Sequence, residues 1–493
     1  VSGCGNSGSS SADSQSGSSA TSENSASTED TASTDGEVPT ISLMVVCGTT
    51  PPDADAVAEK LSEITREKIG CNVEFITMEI GNVAQQLNLL LSGGDDTLDV
   101  FMAGISVPYS TIVNNGQALS LDTLMEPYAE EVKTALGEKV YESGRVNGEL
   151  YGIGRLLDQA STTCYNLRRD IAEEFGYKNG DKVDLAELTE LFGKVREKYP
   201  DTPLIGPMNG VPSIGDSRID SLGNKLGVLD NYGQDTTVTN YYESAGYEEL
   251  VGYFKQWKEM GCYMADILNV TDAPIDYIPS GKAFGCFASH FSAEMNGIWS
   301  SQNFGTDIAS LQIYEDAVAI TPGAYECINP ATKNPEAAAA LIYLMATDPD
   351  VENLLINGIE GQHYQVLEDN TATYVDGKDI STTGWCLGYS WTALNSTISI
   401  PFEYPADYYD RMLAANKNAQ QSKAFGCQFD LTGVSDAVSA CTNVVNQYEN
   451  ALSGGAVEDF DATLAQFQQG LRDAGIDEIV AAKQEQLDAF LAG

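Results

Sequence analysis

The chain has 493 residues, 42% of them hydrophobic, with 72 Asp and Glu against 26 Lys and Arg and a net charge of −46. That length exceeds one ordinary core, so two or more globular units are expected, and the acidity excludes phosphate backbones and anionic headgroups as partners through like-charge repulsion. No apolar run reaches the roughly 18 residues that a bilayer span needs; the longest, AAAALIYLM ending at Met345, reads as a buried helix.

In chain order, the first feature is VSGC, the cleavage pattern of a bacterial lipoprotein signal. Val1, Ser2 and Gly3 read as the end of the signal and Cys4 as the lipidated residue. Two acyl chains hold a stable anchor where one does not, since each buried methylene contributes about 0.8 kcal/mol. From Gly5 to Glu37 there is no Leu, Ile, Val, Phe, Lys or Arg. Such a stretch cannot bury enough apolar area to offset its ordering entropy, so residues 5–38 are expected to form a disordered tether. Its mean reach is on the order of 30 Å. Residues 1–4, the tether and the globule beyond place the protein on the extracytoplasmic face of a Gram-positive cell membrane, held there by lipid alone.

The pattern changes at Thr40. Residues 41–46 (ISLMVV) form an apolar run of strand length. Pro51, Pro52 and Asp53 start a helix, with Asp53 at the N-cap and Gly70 as the stop. Residues 72–78 alternate like a strand, Val83, Leu87, Leu90 and Leu91 make a second helix, and residues 98–102 (LDVFM) make a third strand. Strand, helix, strand, helix, strand argues for a parallel sheet with ligands beyond its carboxyl ends. The loop after LDVFM, with Ser106 and Tyr109, is the first site candidate. Residues 184–199 read as an amphipathic helix with Asp184 and Glu187 as a capping box. Asn334 and Pro335 start an alanine-rich helix, and residues 435–453 form another with Val438, Cys441, Val445, Tyr448 and Leu452 on one side.

The ten cysteines show no CxxC pair and no metal-ligand spacing, so buried thiols or a few disulfides are expected. Two histidines, His290 and His363, leave little material for a zinc site or a serine-type triad. Neither metal nor cofactor is expected.

A series of landmarks resembles the extracellular solute-binding proteins of ABC importers, family 1. They are LSGGDDTLDVFMAG, NGELYGIGRLLD from Asn147, TCYNLRRDIAEEFGY from Thr163, PSGKAFGCF from Pro279, and NPATKNPEAAAALIYLMATDPDVENLLINGIEGQHY from Asn329. From Ala424, the Phe-Gly followed by Phe-Asp and the tail Lys-Gln-x-x-Gln-Leu-Asp resemble the C-terminal domain of unknown function that closes one lipoprotein branch of this family. The resemblance implies an α/β, two-lobed, periplasmic-binding-protein-like fold of type II with the ligand cleft between the lobes. It implies a first part of lobe 1 over 39–157, lobe 2 over 158–322, a return to lobe 1 with a crossover over 323–390, and a helical region packed on the lobes over 391–493. It further implies a monomer that closes about a hinge on a small-molecule solute, a carbohydrate, and hands it to ABC permease subunits without chemistry.

A sugar stacks its C–H faces on aromatic rings and pairs its hydroxyls with polar side chains. The aromatic candidates are Trp299 and the cluster Trp385, Tyr389 and Trp391, while Trp257 reads as packing. Family members often carry Asn where Tyr389 stands. Tyr165, in the Tyr-Asn segment, joins them through the resemblance. The polar candidates are Asp158 with Arg155, Asn209, His290, Glu294, Glu360 and His363, chosen because loops flanked by glycine carry function more often than helix faces. A peptide or a polyamine on the same fold, a lipid-anchored glycoside hydrolase and a surface adhesin are the alternatives.

Overall fold

The alternation over residues 40–103 folds as its spacing predicts. The computed structural model describes residues 38–493 except 93, 95, 209, 211, 213 and 386–391. The first elements are β1 (Thr40–Cys47), α1 (Ala54–Ile69), β2 (Asn72–Glu79), α2 (Val83–Leu90) and β3 (Val100–Ala103). β1 runs parallel to β2, with Thr40 opposite Asn72 and Cys47 opposite Glu79, and parallel to β3 at Leu43 and Val100. Gly70 closes α1 in the left-handed conformation, at φ 70°, which glycine adopts without a Cβ clash. Asp53 holds the N-cap place but does not cap with its side chain. Its carboxylate instead accepts from Gln362 Nε2 and pairs with His363 Nε2, each at 3.1 Å.

The chain continues through β4 (Gly152–Gly154), β5 (Ala160–Arg168), α3 (Leu185–Lys198), α4 (Ala245–Glu259), β6 (Gly285–His290), α5 (Ala293–Phe304), β7 (Ile308–Gln312), β8 (Val318–Ala319) and β9 (Tyr325–Ile328). Then come α6 (Pro335–Thr347), α7 (Pro349–Asn357), α8 (Tyr408–Asn418), β10 (Gln420–Gln421), α9 (Ser435–Ser453), α10 (Phe460–Asp473) and α11 (Ile476–Leu491). Asp184 caps α3 by accepting from the Glu187 N–H at 2.7 Å, but the capping box is half formed. The Glu187 carboxylate accepts from Tyr177 Oη instead.

Two sheets organise the molecule. The first has the order β2-β1-β3-β9-β4, with β9 antiparallel to both neighbours. Alternate residues of β1 feed different cores. Ile41, Leu43 and Val45 pack with α1, α6 and α7, whereas Met44 and Val46 pack with Met78 and α2. Burial on both faces is why ISLMVV reads as continuous rather than alternating. The second sheet is built on β5, whose partners β6, β7 and β8 are all antiparallel to it, and β10 extends it beside β8. Tyr165 of β5, Phe192 of α3 and Trp257 of α4 share its core with Cys441, Phe467 and Ile479 of the last three helices. The C-terminal helices therefore complete the core of the second lobe.

Three segments link the sheets: residues 155–159, 320–324 and a return that begins after Phe402, which still packs in the lobe-1 core. They are laced together. The Arg155 N–H donates to the Ala324 carbonyl, the Ile320 N–H to the Gln159 carbonyl, and Asn416 Nδ2 to the Leu157 carbonyl, while the Leu156 N–H donates to the Leu394 carbonyl in lobe 1.

The Lys-Gln-Glu-Gln-Leu-Asp tail of α11 is a clamp. Buried Lys483 donates to the carbonyls of Leu222 and Gly227 and to Asn224 Oδ1, at 2.7–3.0 Å. Gln484 donates to the Thr236 carbonyl and accepts from the Val238 N–H, and Gln486 bonds the Asp430 backbone in both directions. Ahead of α9, Gln428 donates to the Ser143 carbonyl and to Tyr325 Oη, so this C-terminal region also touches lobe 1.

Candidate ligand-binding site

A cavity of about 410 Å³ opens beside the crossing segments. Such a volume lies within the range of small-ligand pockets. The first crossing supplies Leu157 and Asp158, β6 supplies Ser289 and His290, α5 supplies Trp299, and the return segment with α8 supplies Tyr404, Tyr408, Tyr409 and Met412. The tyrosines are built as a wall. Tyr404 and Tyr408 stack with ring centroids 4.0 Å apart and 15° between planes. Tyr409 stands edge-on to Tyr408 and shares a 3.0 Å hydrogen bond with Ser399 Oγ. Phe291 and Met412, both buried, back the wall.

Besides the tyrosines, whose hydroxyls burial keeps protonated, a carboxyl and an imidazole face this space. Asp158 is open to the cavity on one side and crowded by protein on the others, and that crowding pushes its carboxyl up to about 6 against the partial opposition of Arg155. Its own backbone N–H also favours the ionised form, and no other side chain is hydrogen-bonded to the Asp158 carboxyl among the described residues. Burial lowers His290 to about 4, so its imidazole is neutral at pH 7. His290 Nδ1 accepts from the Ser292 N–H at 3.4 Å, which leaves the proton on Nε2. The cavity thus offers a hydrogen-bond acceptor, a neutral donor and several aromatic faces. It holds one carboxylate among its described lining residues, where glycosidase chemistry of the two-carboxylate kind needs a pair.

Of the residues singled out from the sequence, Asp158, His290 and Trp299 come together here. Others do not. Tyr109 is buried against Tyr325, with centroids 4.1 Å apart, and donates to the Gly144 carbonyl. Ser106 is exposed on the loop before it. Tyr165 is fully buried in the lobe-2 core and donates to the Leu204 carbonyl. Glu294 sits one turn off the cavity on α5 and pairs with Arg411 at 2.9 Å. His363 is buried with both ring nitrogens engaged, by the Ile359 N–H and by Asp53. Glu360 lines a separate surface depression with Lys60 and Tyr364. Trp385 is buried in the lobe-1 core and donates to the Leu355 carbonyl. Arg155, expected beside Asp158, turns into lobe 1, where its Nε donates to the Ala393 carbonyl. It shares that interior with Glu326 and Glu352, both pushed up to about 8 by burial. Asn209, Tyr389, Trp391 and Cys4 lie outside the described residues.

The tyrosine wall escaped sequence reasoning. Its signal was present in EYPADYYD, where Tyr404 and Tyr408 are four apart across a proline-led helix start. Eight cysteines are described, all of them buried free thiols. No described helix is long and apolar enough to cross a membrane.

Comparison with known proteins follows the same lines. A family model described as a domain of unknown function (DUF3502) matches residues 423–492. Over 470 residues, 92% of each chain, this protein is 23% identical to a carbohydrate ABC transporter substrate-binding protein of Streptococcus pneumoniae serotype 4. The crystal structure of the N-glycan transport solute binding protein NgtS from Streptococcus pneumoniae superposes with a TM-score of 0.78 at 20% identity, covering 92% of this chain and 99% of that one. The same protein in complex with Man5GlcNAc gives 0.66 at 21% identity over 92% and 99%. The fold is that of the solute-binding proteins, and the resemblance drawn from the landmarks and from the C-terminal tail holds. These relatives are transport proteins rather than enzymes.

Proposed function

Taking the solute-binding fold as premise, we propose that this chain is a lipid-anchored, extracytoplasmic binding protein that captures an oligosaccharide and delivers it to the permease of an ABC importer. The observation that carries the reading is the cavity at the crossing segments, where Trp299 and the stacked Tyr404 and Tyr408 are joined by Asp158 and a neutral His290. Flat aromatic faces beside a few directed polar groups match a sugar's apolar C–H faces and its hydroxyls. The carbohydrate named for the pneumococcal relative and the N-glycans named for the superposed structure support the same class of solute. The anchor rests on the VSGC pattern at Cys4 and on the polar stretch that follows it. A polyamine site needs several convergent carboxylates, and Asp158 alone lines this cavity among the described residues.

The test is a thermal-shift and calorimetric screen of oligosaccharides, peptides and polyamines. A solute at a hundred times its Kd stabilises the folded form by about 2.7 kcal/mol. The expected outcome is stabilisation by oligosaccharides, with affinity about tenfold to a hundredfold weaker in Trp299→Ala. Stabilisation by peptides or polyamines alone overturns the carbohydrate reading.

A further inference from the structure

The charges around the cavity set a limit on the solute. No lysine or arginine lines it among the described residues. Its titratable groups are Asp158, which is acidic, His290, which burial holds neutral at pH 7, and Tyr404, Tyr408 and Tyr409, whose hydroxyls burial keeps protonated and uncharged. Two cations on the segments that line it, Arg411 beside Met412 and Arg155 ahead of Leu157, are committed elsewhere. Arg411 is bonded through Nε to Asp407 at 2.7 Å and through Nη1 to Glu294 at 2.9 Å. Arg155 is buried in lobe 1 and donates to the Ala393 carbonyl. The tyrosine rings and Met412 add no positive charge.

We infer that the part of the solute entering this cavity carries no anionic group, so that neutral oligosaccharides bind and uronate or sialate sugars are rejected. This rests on the carbohydrate reading above and narrows it. A carboxylate brought into the cavity loses water and gains no counter-charge. It also meets the Asp158 carboxylate at short range, in a chain of net charge −46. Binding proteins that select acidic sugars need the opposite arrangement, with arginine forks or lysines aimed at the carboxylate. Acid in the pocket also serves a neutral sugar well, because an ionised carboxylate is a strong acceptor for sugar hydroxyls.

The experiment is a glycan array probed with the whole protein, containing neutral, uronate-bearing and sialylated oligosaccharides, followed by calorimetry. The expected hits are neutral glycans. The form of the best hit oxidised from CH₂OH to carboxylate at C6 of the ring that enters the cavity is expected to bind at least about a hundredfold more weakly. In Asp158→Asn that penalty is expected to shrink by about tenfold or more, read as a ratio so that a general loss of affinity does not mimic it. Acidic glycans binding within tenfold of the best neutral one overturn the inference while leaving the carbohydrate reading intact. An oxidised-to-neutral ratio unchanged in Asp158→Asn overturns the cavity charge as its origin. An array with no saccharide hit at all overturns the carbohydrate reading, and this inference with it.

Discussion

Asp158 and Arg155 illustrate how neighbours in sequence divide between two environments. GRLLD presents them as a pair, yet the crossing segment that leaves lobe 1 turns one side chain inward and the other toward the cavity. The consequence for Asp158 is a raised carboxyl, to about 6. A carboxyl raised above its unfolded value of 3.8 gives stability that is full below about pH 3.8 and lost as pH rises through about 6. Against Asp158→Asn, the wild-type stability advantage is therefore expected to fall between pH 4 and 6 and to be flat above 7. The size is about 1 kcal/mol, discounted because one side of the group is open to water. Urea midpoints of both proteins across that pH range are the measurement, and parallel curves would remove the assignment. The same division explains why single residues were the least legible feature of the sequence. His363, Trp385 and Tyr165 carry side chains equally suited to a ligand or to a buried hydrogen bond, and only the fold shows that Asp53, Leu355 and Leu204 use them.

Elements were more legible than residues, because periodicity and caps are local. β1, α1, β2, α2, β3, α3 and α9 fall where apolar spacing and glycine stops put them. The pairing of β9 and β4, antiparallel at one edge of a sheet that begins parallel, was not readable, since it depends on contacts across 170 residues or more of chain between β4 and β9. The role of the C-terminal tail was likewise a matter of partners. Its Lys483 meets three acceptors on the 222–227 turn, and burial lowers its ammonium to about 7. Lys483→Met leaves the buried Leu222 and Gly227 carbonyls unpartnered and is expected to cost about 2–4 kcal/mol. Ligand affinity is expected to stay within about threefold, because neither Lys483 nor its partners line the cavity. A urea midpoint equal to that of the wild type would show that the clamp is dispensable; an affinity loss beyond tenfold would show that the tail shapes the site.

At the scale of the whole molecule, the laced crossings carry the chain between the two sheets, and the cavity lies against them. A solute held there is expected to favour a closed arrangement, and a neutral oligosaccharide at saturation should lower the radius of gyration in solution scattering. Identical scattering curves with and without bound sugar would argue against hinge closure. The eight sheltered thiols carry a separate consequence. Burial is the leading cause of the upward shift at each of them, which keeps them in the unreactive protonated form. An alkylating reagent can therefore reach them only when the surrounding core parts. Their modification, counted by mass, makes an internal clock for how often each lobe breathes, and a bound cargo that slows the clock in one lobe more than in the other would reveal which half grips first.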